Sequence, residues 1–101
     1  MAEIRWTRQA ANDLETITEF IAADSSHYAS LFALDVLAAV ERLAVFPNSG
    51  RIVPELEETD VREILFGNYR IAYRLEDNSV TILTVYHGAR LLDPSRLESQ
   101  G

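Results

Sequence analysis

The spacing of hydrophobic positions changes along the chain and divides it into elements. Glu3-Ile4-Arg5-Trp6-Thr7 alternates polar and apolar residues and is rich in β-formers, which predicts a short first strand. Thr7 then stands where a helix N-cap belongs. From there Ala10, Leu14, Ile17 and Ile21 recur at spacings of four, three and four, one apolar stripe on a helix over residues 8–23. Asp13, Glu15 and Glu19 fall largely off that stripe and are expected to face water. Asp24-Ser25-Ser26 breaks the pattern and supplies the cap of a second helix over residues 27–46. This helix is apolar on two sides. Phe32, Val36, Val40 and Leu43 form one face, and Leu31, Leu34 and Ala38 form another about a third of a turn away. Such a helix is buried on both sides or keeps one side for a partner.

Pro47-Asn48-Ser49-Gly50 ends the helical pattern and opens a loop that runs past Pro54 to about residue 60. Three strand-like runs follow, at residues 61–66, 69–74 and 80–86, separated by Gly67-Asn68 and by Glu76-Asp77-Asn78. Short turns between alternating runs make an antiparallel meander. The predicted order is β-α-α-β-β-β, an α+β fold with a helical hairpin packed on a small antiparallel sheet. No internal repeat or composition break divides residues 1–101, so one domain is expected.

Composition narrows the function classes. The chain has 101 residues and a net charge of −7, and all nine basic residues are arginine. Its overall field repels phosphate, which argues against nonspecific or sequence-specific nucleic-acid binding. There is no cysteine, hence no disulfide and no thiolate zinc site. The longest apolar run, residues 36–40, is far short of the ~20 residues of a membrane span. A cytoplasmic protein without membrane attachment is expected. Charge is uneven along the chain: residues 64–97 carry four arginines against three acids and are the one locally basic stretch.

That stretch holds the one candidate constellation. Arg70 and Arg74 are four apart on a strand and point to the same face. His87 and Arg90 flank Gly88-Ala89 at the exit of the last strand. Arginines hold and neutralise phosphoryl oxygens, and histidine moves protons near neutral pH, so the set is suited to phosphate chemistry. Glu55 becomes a complementary base if the acidic loop folds back. The alternative is structural, with Arg70 and Arg74 pairing across strands with Glu63 or Glu76. No glycine-rich phosphate loop, metal-binding pattern or serine nucleophile motif is present, and no cofactor is expected.

An ordered set of short motifs resembles the toxins of type II toxin–antitoxin modules in the RelE/ParE superfamily, most of all the ParE branch. It comprises Trp6-Thr7 with Ala10, Asp13-Leu14 and Ile17, then Leu43-Ala44, Phe46-Pro47 and Gly50-Arg51. Val53-Pro54-Glu55-Leu56, Val61-Arg62-Glu63, Tyr69-Arg70-Ile71-Ala72-Tyr73-Arg74 and Val85-Tyr86-His87-Gly88-Ala89-Arg90 complete it, over about residues 3–92. The resemblance implies a growth-inhibiting toxin of bacterial type that a cognate antitoxin neutralises, with DNA gyrase as target. RelE-like members are instead ribosome-dependent, metal-independent messenger RNA endoribonucleases. For that alternative Glu55, Arg70, His87 and Arg90 match or lie near catalytic positions. No tyrosine follows Arg90 and no lysine occurs anywhere, and both departures favour the ParE branch. Arg70, Arg74, His87 and Arg90 are then expected to contact the target, and Leu31, Leu34 and Ala38 to receive the antitoxin.

Overall fold

The computed structural model describes residues 1–56 and 60–89. Strand β1 (Glu3–Trp6) leads into helices α1 (Arg8–Ala22) and α2 (Ser26–Glu41). A 3-10 turn, Arg42–Ala44, follows, and then strands β2 (Arg51–Ile52), β3 (Val61–Phe66), β4 (Tyr69–Glu76) and β5 (Ser79–His87). Both expected caps form: Thr7 accepts from Ala10 N, and Ser25 from Tyr28 N. The fold is α+β, as the periodicity indicates, with two differences. The sheet is five-stranded and mixed, in the order β1-β5-β4-β3-β2, because β1 pairs parallel with β5. And β2 lies inside the expected loop. A two-residue strand has no period, and a pairing between the two ends of the chain leaves no local trace, so neither was legible.

The helices cover one face of the sheet. Ala10, Val36, Val40 and Leu43 pack on Ile71, Tyr73, Val80, Ile82 and Val85, each buried Val, Leu or Ile contributing roughly 1.5–3 kcal/mol of transfer free energy. A smaller cluster of Val53, Leu56, Val61, Ala72, Leu83 and Tyr86 lies on the other face. There the segment after β2 crosses the sheet, which makes the centre of β4 buried on both sides. Tyr73 ties this segment to the core edge: its hydroxyl donates to Pro47 O at 2.8 Å and accepts from Gly50 N at 2.9 Å. A Cβ on Gly50 would stand 2.6 Å from both Glu63 O and the Tyr73 hydroxyl, so a side chain has no room there.

One irregularity governs which side chains reach which face. Ala72 lies opposite Thr84 and Tyr73 opposite Ile82, which leaves Leu83 as an extra residue in β5. The bulge lets Ile82 and Val85 both face the helices while Leu83 and Tyr86 both face away. Helix α1 satisfies its loosened backbone. The Thr7 hydroxyl donates to Leu83 O at 3.0 Å. Asp13 accepts from Val85 N at 3.1 Å and from the Thr84 hydroxyl, and Gln9 Nε2 donates to it at 2.7 Å. Asp13 therefore does not face water with Glu15 and Glu19. Its acceptors are needed at the bulge, a demand that helical spacing cannot express.

Asp13→Ala removes the acceptor of a buried amide and should destabilise the protein by about 1–3 kcal/mol. Glu15→Ala, exposed on the same helix, should stay within about 0.5 kcal/mol. Urea denaturation followed by circular dichroism measures both, and equal effects would remove the bulge-anchoring role.

Candidate functional site

The face of the sheet away from the helices is organised around a carboxylate with no solvent exposure. Glu63 is placed there by β3, beside Arg51 of β2 and across the sheet from Arg70 and Tyr86. Its Oε1 accepts from Arg70 Nε at 2.7 Å and from the Tyr86 hydroxyl at 3.3 Å, and its Oε2 accepts from Arg51 Nε at 2.6 Å. Three donors on one carboxylate offset much of the cost of desolvating it. Arg70 is itself 6% exposed. Its other edge meets Glu55, with Nη2 donating to Oε1 at 2.7 Å. The guanidinium carbon sits 4.8 Å from the centre of the Tyr86 ring.

Electrostatics follow from this packing. The Glu55 and Glu63 carboxylates hold the Arg70 pKa above its usual value, against the opposing effect of burial. The Tyr86 hydroxyl is pushed up by burial and by Glu63, partly countered by Arg70. Among the described residues the group brings together Arg51, Arg70, Glu55, Glu63 and the Tyr86 phenol.

The expected constellation is only partly assembled. Arg70 and Arg74 do share a face, but Arg74 is partly exposed and bonds Asp60 at 2.9 Å. The segment bearing Glu55 does fold back, and its carboxylate serves as counter-ion to Arg70. His87 lies opposite Tyr69 with ring centres 5.7 Å apart, on the helix-covered side where Tyr69 packs against Phe32. Its Nδ1 accepts from Ala89 N at 3.1 Å. Its ring packs on that side, yet His87 and Arg70 border one depression at the end of the sheet, together with Arg51, Leu65 and Gly88. Arg90 lies outside the described residues. On α2, Val36 and Val40 are buried while Leu31 and Leu34 stay 43% and 63% exposed and Ala38 is exposed. The two-sided helix keeps one side open.

Two features escape a sequence reading: the part played by Arg51 and the burial of Glu63. The available signal was β3 itself, where Glu63 interrupts a run of strand-forming residues opposite an arginine. Cross-strand pairing of Arg70 with Glu63 was the structural alternative, and it holds.

A model of the ParE toxin of the type II toxin–antitoxin system, parDE, matches residues 4–92. The chain belongs to the ParE toxin family. Toxin RelE2 of Caulobacter vibrioides is 35% identical over 92 residues, covering 90% of this chain and all of that protein. The fold is similar to that of a chain of the chromosomal ParDE TA system from P. aeruginosa. That likeness has a TM-score of 0.71 at 23% identity and covers 86% of this chain and 96% of the other. The matched span contains the Glu63 cluster, the β5 bulge and the open side of α2. Among the described residues no helix is long and apolar enough to cross a membrane.

Glu63→Ala would leave Arg70 buried with one of its carboxylate partners gone, and should cost about 3–5 kcal/mol. Arg74→Ala breaks a partly exposed pair and should cost no more than about 1 kcal/mol. Thermal and urea unfolding of the two variants side by side check the contrast. A Glu63→Ala loss as small as that of Arg74→Ala would deny the cluster its structural role.

Proposed function

We propose that this ParE-family toxin arrests growth in the cytoplasm by contact with a protein target, DNA gyrase, and that a cognate antitoxin neutralises it. The observation that carries the first part is the closure of Arg70. RNA cleavage by a metal-independent route needs a cation open to the scissile phosphate and a base in reach of the 2′-hydroxyl. Here the sheet arginine is buried under two carboxylates, and Glu55 is engaged by that arginine. His87 packs its ring against Tyr69. A net charge of −7 adds an unfavourable approach to ribosomal RNA. The same residues suit a contact surface, since Arg74 and His87 remain accessible at the sheet margins while Arg70 fixes the strands that present them.

Purified toxin should inhibit gyrase supercoiling, or trap cleaved DNA, while leaving messenger RNA intact on programmed ribosomes. Cleaved message with normal supercoiling would overturn the assignment in favour of an endoribonuclease.

The second part rests on α2. Leu31 and Leu34 leave large apolar side chains in solvent on one side of the helix, with Ala38 exposed beside them, an apolar patch of the kind that marks a contact surface. An antitoxin segment laid along that side would bury Leu31, Leu34 and Ala38. Leu34→Glu, already exposed in the folded chain, should weaken antitoxin binding roughly 30-fold or more, about 2 kcal/mol, with little change in stability. Calorimetric titration against the antitoxin reads this directly, and unchanged affinity would place the antitoxin elsewhere.

A further inference from the structure

A depression of about 350 Å³ lies where β1, α1 and α2 meet, at the small end of the range for ligand pockets. Helical spacing and side-chain size explain it. On α1, Ala11, Leu14 and Thr18 recur at spacings of three and four, and on α2 Ala33 and Leu37 are four apart, so each helix turns one stripe toward the same hollow. The two alanines leave room between the helices, and Trp6, Leu14 and Leu37 give the hollow its large apolar walls. It is open rather than sealed: Trp6, Leu14 and Ala33 are half-buried, and Leu37 is 42% exposed.

The polar content of the hollow is small and of one sign. The Thr18 hydroxyl donates to Glu15 O at 2.8 Å and is used up within its own helix. Glu15 is the one charged residue of the lining. It is exposed, and among the described residues it enters no ion pair. Glu19, one turn further on, adds a second exposed acid on that side of α1. Arg8 is the one basic residue of the two helices and stands about two turns before Glu15. An apolar hollow with a carboxylate at its rim favours a ligand with an apolar body and a positive end, and it repels carboxylates and phosphates.

We propose that this depression binds a small hydrophobic monocation, a short alkyl chain bearing an ammonium or trimethylammonium head. The chain lies over Trp6, Leu14 and Leu37, and the head meets the Glu15 carboxylate. The stretch of α1 that lines the hollow, from Ala11 to Thr18, is about 10 Å long, enough for one such chain. A second copy of this chain is a poor occupant, because it would bring the same acidic helices against one another. Leu37 and Ala33 face α1, so the site lies beside the side of α2 that carries Leu31, Leu34 and Ala38. It stands whether or not gyrase is the target and wherever the antitoxin binds.

Trp6 is the single tryptophan of the chain, so its fluorescence reports on this hollow. Titrating the intact protein with octyltrimethylammonium, kept below micelle-forming concentrations, should change Trp6 emission saturably. Octanesulfonate, with the same tail and the opposite charge, should bind at least about 10-fold more weakly. Tetramethylammonium, which has no tail, should give no saturable change. Glu15→Gln should weaken binding about 3-fold or more and Leu37→Ala about 5-fold, with both variants keeping the native circular dichroism. Asp35→Asn, an exposed acid elsewhere on α2, should leave binding unchanged. The proposal fails if octanesulfonate binds as well as the cation, or if Glu15→Gln weakens binding no more than Asp35→Asn. It fails equally if Trp6 emission changes with protein concentration alone, which assigns the hollow to a second copy. A cationic amphipathic peptide that moves the signal where octyltrimethylammonium does not would assign it to a partner helix and overturn the proposal.

Discussion

Taking Glu63 out of water is the most expensive single act in this fold, and much of the rest is arranged to offset it. A carboxylate without solvent exposure needs donors on every side. β2 supplies Arg51, β4 supplies Arg70 and β5 supplies Tyr86, so the carboxylate ties three strands through their side chains as well as their backbones. Arg70 in turn needs a second acceptor, and Glu55 brings the segment after β2 across the sheet to provide it. Val53 and Leu56 then close the small apolar cluster beneath. One buried charge thereby determines why the second face of the sheet is covered at all.

This arrangement also separates two chemistries that the same residue types could serve. An arginine pair, a histidine and a glutamate on neighbouring strands would be an anion site if their polar ends met in open space. The bulge in β5 and the return of the Glu55 segment prevent that. Tyr86 is turned toward Arg70, His87 is turned toward Tyr69, and the carboxylate that could act as a base neutralises the cation that could hold a phosphate. Among the described residues the apolar side of α2 and the sheet margin near Arg74 remain accessible surface.

The sequence disclosed what local periodicity and side-chain size encode. The stripe of Ala10, Leu14 and Ile17, the caps at Thr7 and Ser25, and the three-strand meander are all properties of neighbours in the chain. The open side of α2 was legible for the same reason, since Leu31, Leu34 and Ala38 cannot join Val36 and Val40 on one face. The parallel pairing of β1 with β5, the recruitment of Asp13 to the bulge and the burial of Glu63 depend on residues far apart in sequence. Charge was the most misleading local signal. The basic balance of residues 64–97 pointed to Arg70 and Arg74, yet both are matched by acids from other segments. Family membership fixed the class of protein, whereas the pairing of charges in space decides which of its surfaces are free to act.

The central claim is that Arg70 is a structural cation closed to outside anions, and its own side-chain N–H reports on this most directly. Nitrogen-detected NMR of the arginine Nε–H groups at neutral pH should show Arg70 as a slowly exchanging signal, displaced by its carboxylate bonds and unmoved when phosphate or a short RNA is added. A rapidly exchanging Arg70 signal that shifts on adding either anion would contradict the account.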